Sequence, residues 1–292
     1  MGADLFLPLT ISGLVVGIMY ALLGVGLVVA YRTSNTLNFA HGAMGMFASY
    51  VFFKTLLPRY GLAVALVLIL LVAAAMGVLL HRFVIRHLEG QPTLAKVIAT
   101  IGVMIALQSA AVIIWGEGKR PVRSIFPNRT AFEVAHVAIG LDQLLMAAIL
   151  GAVVLGLTWF FSGSRLGIAV RAVANSQRDS MLLGINAHLV TGLGWAIAGV
   201  LAALAGILLS PLVYLDTVFL TLMLIPAYGA ALLGRLRSVH LTVLGGLLIG
   251  VLQSLSGYVS DSPGFSQVLP FVVIVAALML QPPEQRSAGE VL

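Results

Sequence analysis

Nine apolar runs occupy most of this sequence: residues 5–31, 39–57, 62–81, 94–115, 141–161, 191–213, 217–233, 239–257 and 265–281. A transmembrane helix needs roughly 20 apolar residues, so the chain is read as an all-α polytopic membrane protein of about eight or nine spans. Of its 292 residues, 60% are hydrophobic and 9% charged, against about 25% charged in soluble domains. Lipid must therefore be the solvent for much of the surface. The connections are mostly short. Two are longer, an outer loop at about 116–140 and a cytoplasmic loop at about 162–190. Neither resembles a soluble domain, so residues 1–292 form one transmembrane domain.

The net charge of +6 comes from basic residues placed between the runs. There they orient helices and meet anionic lipid. With no lysine-rich stretch carrying interleaved aromatics, nucleic acid is not an expected partner. If all nine runs cross with the N-terminus outside, the cytoplasmic side holds ten basic residues: Arg32, Arg82, Arg86, Lys96, Arg165, Arg171, Arg178, Arg235, Arg237 and Arg286. The outer side holds six: Lys54, Arg59, Lys119, Arg120, Arg123 and Arg129. The excess follows the positive-inside rule. The run at 39–57 is the weakest, and if it is re-entrant the N-terminus moves inside. The opening MGADLFLPLT has no basic n-region, so the first run is read as a retained helix rather than a signal peptide. Cysteine is absent, which excludes disulfides and thiolate metal sites.

Polar residues inside spans are costly and often functional. Tyr20, Asn38, His41, Gln108, Asp216 and Gln253 lie within or beside the runs. Gln108 and Gln253 can bridge helices by hydrogen bonds, or line a path. Tyr20 needs a partner for its hydroxyl, and Asp216 falls in an outer loop. The stretch LNFAHGAMG combines a capping residue, Asn38, with His41, Gly42 and Gly45. Asn commonly caps helices, and glycine allows a bend or a close approach. His41 is expected to satisfy loose backbone groups at that bend. It has no nearby ligands for a metal, and no carboxylate within a span supports a proton relay. Pro226 interrupts TLMLIPAYGAALLG, where a proline kinks a helix or supplies a hinge beside a path.

The cytoplasmic loop carries its own helix signals. Ser176 and Asp179 have capping-box spacing, residues 177–183 form a short helix, and Gly184 stops it. So short a helix is marginal in water alone. Met181, Leu182 and Leu183 have nowhere in the loop to be buried. The segment is either a docking element or a connector lying on the membrane interface.

The stretch GIAVRAVANSQRDSMLLGINAHLVTGLGWAIAGVLAALAGIL resembles the cytoplasmic coupling region and following helix of the LivH-like permeases of branched-chain amino acid ABC importers. The matching positions are Gly167, Ala169, Arg171, Ala172, Ala174, Gly184, Ile185 and Asn186. The N-terminal block around LNFAHG, and later IPAYGAALLG and VLGGLLIGVLQSL, resemble other landmarks of that family. The sequence departs from it at GRLRSVHLT, where a glycine-rich turn is usual and Arg235, Arg237 and His240 stand instead.

The resemblance implies a non-catalytic permease subunit in a bacterial or archaeal cytoplasmic membrane. It implies ATPase subunits docked on the coupling loop, a second permease subunit (identical or related) and an extracytoplasmic solute-binding protein. The coupling segment would comprise Gly167, Arg171, Ala172, Ala174, Ser176, Asp179, Met181, Gly184, Ile185 and Asn186. No phosphate-binding G-x-x-x-x-G-K-[ST] loop is present, so no cofactor is expected on this chain and ATP is used by the partners. The candidates for a path or helix break are Tyr20, Asn38, His41, Gly42, Gln108 and Pro226. An ion-driven secondary transporter would suit the glycines and broken helices, but it lacks intramembrane carboxylates. A membrane enzyme lacks a nucleophile and base.

Overall fold

In lipid an unpaired backbone N–H or C=O is costly, so apolar runs coil into helices that satisfy their own polar groups. The computed structural model describes residues 3–127, 129–134 and 137–259, with residues 268, 271, 272, 275, 276 and 279 beyond them. The described helices are α1 (Ala3–Ser34), α2 (His41–Val51), α3 (Leu57–Leu80), α4 (Thr93–Trp115), α5 (Leu141–Gly163), α6 (Arg165–Asn175), α7 (Gln177–Leu182), α8 (Ala187–Val213), α9 (Phe219–Leu222), α10 (Leu224–Leu233) and α11 (Val239–Val259). Wider π turns join α2 to α3 at Phe52–Leu56 and extend α3 through His81–Ile85.

Among the described residues, six helical stretches are long and apolar enough to cross a membrane: Phe6–Ser34, His41–Leu88, Thr93–Trp115, Leu141–Gly163, Ala187–Val213 and Val239–Gly257. This differs from eight or nine spans in identifiable places. Runs 39–57 and 62–81 follow one another through a single break at Gly61, where φ is +74° and ψ 174°. Run 217–233 is two short helices, α9 and α10, separated at Met223. Run 265–281 lies almost wholly outside the described residues. The outer loop also adds a β-hairpin, β1 (Thr130–Val134) paired antiparallel with β2 (Val137–Gly140).

α1 and α8 form the centre. Of their most apolar windows, 89% and 61% are buried, against 11% for α4 and 22% for α5. The outward faces of α4 and α5 show Ile105, Ile113, Leu155 and Trp159 to the surroundings, as lipid-facing helices do. Small residues let the central backbones touch. α1 carries Gly13 and Gly17, and α11 carries Gly246 and Gly250, each pair at small-xxx-small spacing. A Cβ on Gly250 would stand 2.4 Å from Gly13 O. Such an interface gains dispersion that larger side chains would block.

The two ends of the bundle are chemically distinct. At one end the termini of α1, α3, α5, α8, α10 and α11 gather with α6 and α7. Arg32 lies over the Phe161 ring at 4.3 Å, Thr191 Oγ1 donates to Thr33 O at 3.2 Å, and Thr158 Oγ1 meets His240 Nε2 at 3.1 Å. Nine of the ten basic residues expected to be cytoplasmic belong to this end, and Arg286 lies outside the described residues. At the other end Arg120 and Leu215 exchange backbone hydrogen bonds at 2.9 Å, and Tyr50 stacks on Trp115 at 5.2 Å.

Candidate functional site

α1 ends at Asn35, whose φ is +49°. The next residues are not helical, yet Thr36, Asn38 and Ala40 are fully buried. They run back into the bundle rather than out to solvent. A Cβ on Gly26 would lie 2.4 Å from His41 Nε2, and Gly26 stands eight residues before the end of α1. At 1.5 Å per residue, α2 therefore starts about 12 Å inside that end. It is a half-helix that begins within the bundle.

The polar groups here are only partly satisfied. Thr100 Oγ1 on α4 accepts from Phe39 N–H at 3.3 Å and donates to Val97 O at 2.8 Å. Asn38 Nδ2 reaches only the Met44 sulfur at 3.8 Å. Among the described residues, Asn38 Oδ1 and both His41 ring nitrogens have no hydrogen-bond partner. Two expectations are corrected. Asn38 does not cap α2 by its side chain, because the helix begins after Ala40 and the Asn38 carbonyl instead accepts from His41 N–H at 3.3 Å. His41 does not bridge broken backbone. Its ring is wedged against Gly26 and lies near the Leu23 carbonyl without hydrogen-bond geometry.

The second break meets the first. Gly42 faces Leu220 and Leu224, and a Cβ there would stand 2.6 Å from Leu220 O. Pro226 is buried in the first turn of α10, three residues after the Met223 cap. First-turn N–H groups have no partner within their own helix, so the proline ends α9 and opens α10 rather than kinking a continuous helix. Gln108 Nε2 donates to Thr221 Oγ1 at 2.9 Å, tying α4 to α9 as a bridging glutamine should. Phe39 packs on Tyr228 with ring centroids 5.1 Å apart, and the buried Tyr228 hydroxyl has no partner among the described residues. Asn38, His41, Gly42, Gln108 and Pro226 are thus brought around one locus, joined by Thr100, Thr221 and Tyr228. Tyr20 is not part of it. Its hydroxyl donates to Gln253 Oε1 at 2.7 Å, linking α1 to α11. Asp216 binds its own loop, accepting from Val218 N–H at 2.8 Å.

α8 presses against this locus. A Cβ on Gly206 would lie 2.4 Å from Gly45 O, and one on Gly45 would lie 2.5 Å from Ala202 O. The two backbones touch directly, so displacement of α8 must displace the start of α2.

The loop at 162–190 contains two helices where the sequence pattern suggested one. α6 buries Gly167, Val170 and Val173 at three-residue spacing, an amphipathic signal readable in RLGIAVRAVAN. It is fastened to the end of α5. Ser164 Oγ accepts from Gly167 N–H at 2.9 Å, and the Arg171 guanidinium donates to Phe161 O, one of the last unpaired carbonyls of α5. A Cβ on Gly167 would lie 2.1 Å from Phe160 O, so only glycine fits. Ala172 is half-buried and Ala174 exposed.

α7 follows with both ends capped. Ser176 Oγ accepts from Asp179 N–H at 3.2 Å. The reciprocal half of a capping box is absent, because Ser176 N–H bonds Ala172 O. At the other end Gly184, with φ +81°, donates to Met181 O at 3.0 Å, and Ile185 N–H donates to Ser180 O at 3.0 Å. This is the Schellman pattern. Asn186 Oδ1 then caps α8 by accepting from Leu189 N–H at 3.1 Å. Met181, Leu182 and Leu183 stand exposed, the last two at about 80%.

A multi-span helical bundle with a short capped helix at its basic end and non-helical backbone at its centre is built like a membrane transport subunit. The chain belongs to the family described as branched-chain amino acid transport system / permease component, whose profile matches residues 9–278. It is 32% identical over 290 residues to the high-affinity branched-chain amino acid transport system permease protein BraD of Pseudomonas aeruginosa, covering 95% of this chain and 94% of that protein. To the corresponding protein LivH of Escherichia coli (strain K12) it is 29% identical over 293 residues, covering 95% and 94%. To the probable branched-chain amino acid transport permease protein LivH of Methanocaldococcus jannaschii it is 26% identical, covering 90% and 87%. Among solved structures, PsaBC from Streptococcus pneumoniae in complex with Fab shares the fold, with a TM-score of 0.50 at 13% identity over 99% of this chain and 96% of that one.

Proposed function

We propose that this permease lines the translocation path of an ABC importer for branched-chain or related amino acids, amides or urea, and that the meeting of the two helix breaks at Gly42 and Leu224 is the part of the path it contributes. The observation that carries this reading is the cluster of buried, unpartnered polar atoms there: Asn38 Oδ1, both His41 nitrogens and the Tyr228 hydroxyl. A buried polar group without a partner is costly, and its retention beside broken helices is the arrangement transporters use to meet polar solutes.

The subunit itself hydrolyses nothing and needs no cofactor. ATPase subunits engage α7 through Met181, Leu182 and Leu183. When they close, α7 moves, and two rigid links carry the motion inward. One runs from α6 to the end of α5 through Gly167 and Arg171. The other runs from Gly184, Ile185 and Asn186 into α8, whose backbone touches α2 at Gly45. A second permease subunit, identical or related, completes the path. A solute-binding protein delivers at the opposite face, and the complex sits in a bacterial or archaeal cytoplasmic membrane.

The chain has no cysteine, so single Asn38→Cys, Thr221→Cys and Tyr228→Cys variants report directly on solvent access. In the assembled importer these positions are expected to react with a membrane-impermeant thiol reagent, and to be protected by the transported solute. Exposed lipid-face cysteines at Ile105 or Leu155 are expected to resist. Equal, solute-independent reactivity at all five positions removes the break from the path.

A further inference from the structure

A cleft of about 440 Å³ opens at the basic end of the bundle, between the end of α3 and the start of α8, and shares only Asn186 with the coupling segment. Val78, Arg82 and Arg86 stand on one wall, and His188 and Leu193 stand on the other. Along that direction the lining changes character. Val78 and Leu193, toward the bilayer, are apolar and exposed at 38% and 37%. Arg82, Arg86 and His188 lie toward the polar edge.

Glu89 lies beside His188, with Oε1 3.3 Å from Nδ1, and among the described residues Arg82 and Arg86 make no ion pair. His81 also lines the cleft. The residue is 3% exposed, yet its Nε2 has no hydrogen-bond partner among the described residues. Gly192 faces it across the lining, where a Cβ would stand 3.4 Å from Nδ1. The positive end of the α8 dipole adds to the field at the same edge.

An apolar upper wall above two unpaired arginines and a buried unpartnered histidine matches an amphiphile with a negatively charged head. We propose that the cleft is a binding site for an anionic phospholipid, its phosphate held by Arg82 and Arg86 and reached by His81, and its acyl chains laid along Val78 and Leu193. A zwitterionic lipid would bring an ammonium toward the same arginines. Free phosphate would leave the apolar wall unused.

The test is native mass spectrometry of the full-length permease in its assembled complex, equilibrated with phosphatidylglycerol or phosphatidylcholine. Phosphatidylglycerol is expected to be retained in preference to phosphatidylcholine, and millimolar inorganic phosphate is expected not to displace it. Arg82→Gln combined with Arg86→Gln should weaken retention roughly 30-fold, given what each cation contributes near an anionic headgroup. Arg235→Gln with Arg237→Gln removes the same charge from the same end and should leave retention within about twofold. Gly192→Val, which narrows the cleft beside His81 without changing charge, should also lower retention. Equal loss in both arginine pairs, full displacement by inorganic phosphate, no preference between the lipids, or unchanged retention in Gly192→Val overturns the proposal.

Discussion

Removing both caps of α7 tests whether that helix is held by the groups described. Ser176→Ala deletes the side chain that accepts from Asp179 N–H, a loss worth about 1 kcal/mol. Gly184→Ala forces a Cβ into the left-handed region at φ +81°, costing about 1–2 kcal/mol. Nothing lies within 4 Å of that Cβ, so the second cost is conformational and not steric. The caps share no partner, so the effects should add, to about 2–3 kcal/mol, or roughly 30- to 150-fold in the local opening equilibrium. The readout is hydrogen exchange by mass spectrometry at the amides of Ser180, Leu183, Gly184 and Ile185, which are bonded only within this motif. Their exchange is expected to rise by that factor in the double variant while α8 stays protected, and stimulation of the partner ATPases is expected to fall in parallel. Exchange changed by less than about threefold would refute the capping argument. Faster exchange with undiminished ATPase stimulation would refute the assignment of α7 as the coupling element.

Three further outcomes follow from packing and backbone geometry. Gly206→Ala would press a methyl to 2.4 Å from Gly45 O and 2.5 Å from Ser49 Oγ; it should destabilise the subunit by about 1–3 kcal/mol in detergent unfolding titrations, and a loss below about 0.5 kcal/mol would mean that α2 and α8 are not in backbone contact. Gln108→Met removes the α4–α9 hydrogen bond to Thr221, and should cost about 0.6 kcal/mol, the average for polar contacts between membrane helices, and no more than about 1.7 kcal/mol, by the same titration. Arg235→Gly relieves an exposed non-glycine residue held at φ +53° in the α10–α11 turn; it should raise stability by up to about 1 kcal/mol after the entropy of added glycine is subtracted, read as a higher thermal midpoint.

Most spans and the α7 caps were legible because they are local. Run length and hydropathy mark α1, α4, α5, α8 and α11, and Ser176 and Gly184 mark α7 by spacing alone. The misread places depend on distant contacts. Asn38 has the chemistry of a cap, but the chain at 36–40 runs back into the bundle, where Thr100 sixty residues away takes Phe39 N–H. Run 217–233 has the apolarity of a span, but Pro226 breaks it into two short helices and the break docks against Gly42. α6 carried an amphipathic pattern that was readable but lay beside stronger signals. The β-hairpin in the outer loop is set by strand pairing, which single-strand patterns specify weakly. Tyr20 looked isolated because its partner, Gln253, lies 233 residues along the chain.

In the proposed importer this chain lines part of a path driven by ATPases it does not contain. That role is tested most directly in proteoliposomes holding the permease with ATPase subunits, a second permease subunit and a solute-binding protein. Uptake of radiolabelled leucine is expected to require enclosed ATP, to stop when α7 is deleted, and to persist when ionophores collapse all ion gradients. Uptake by the purified chain alone under an ion gradient, without ATP, would contradict it.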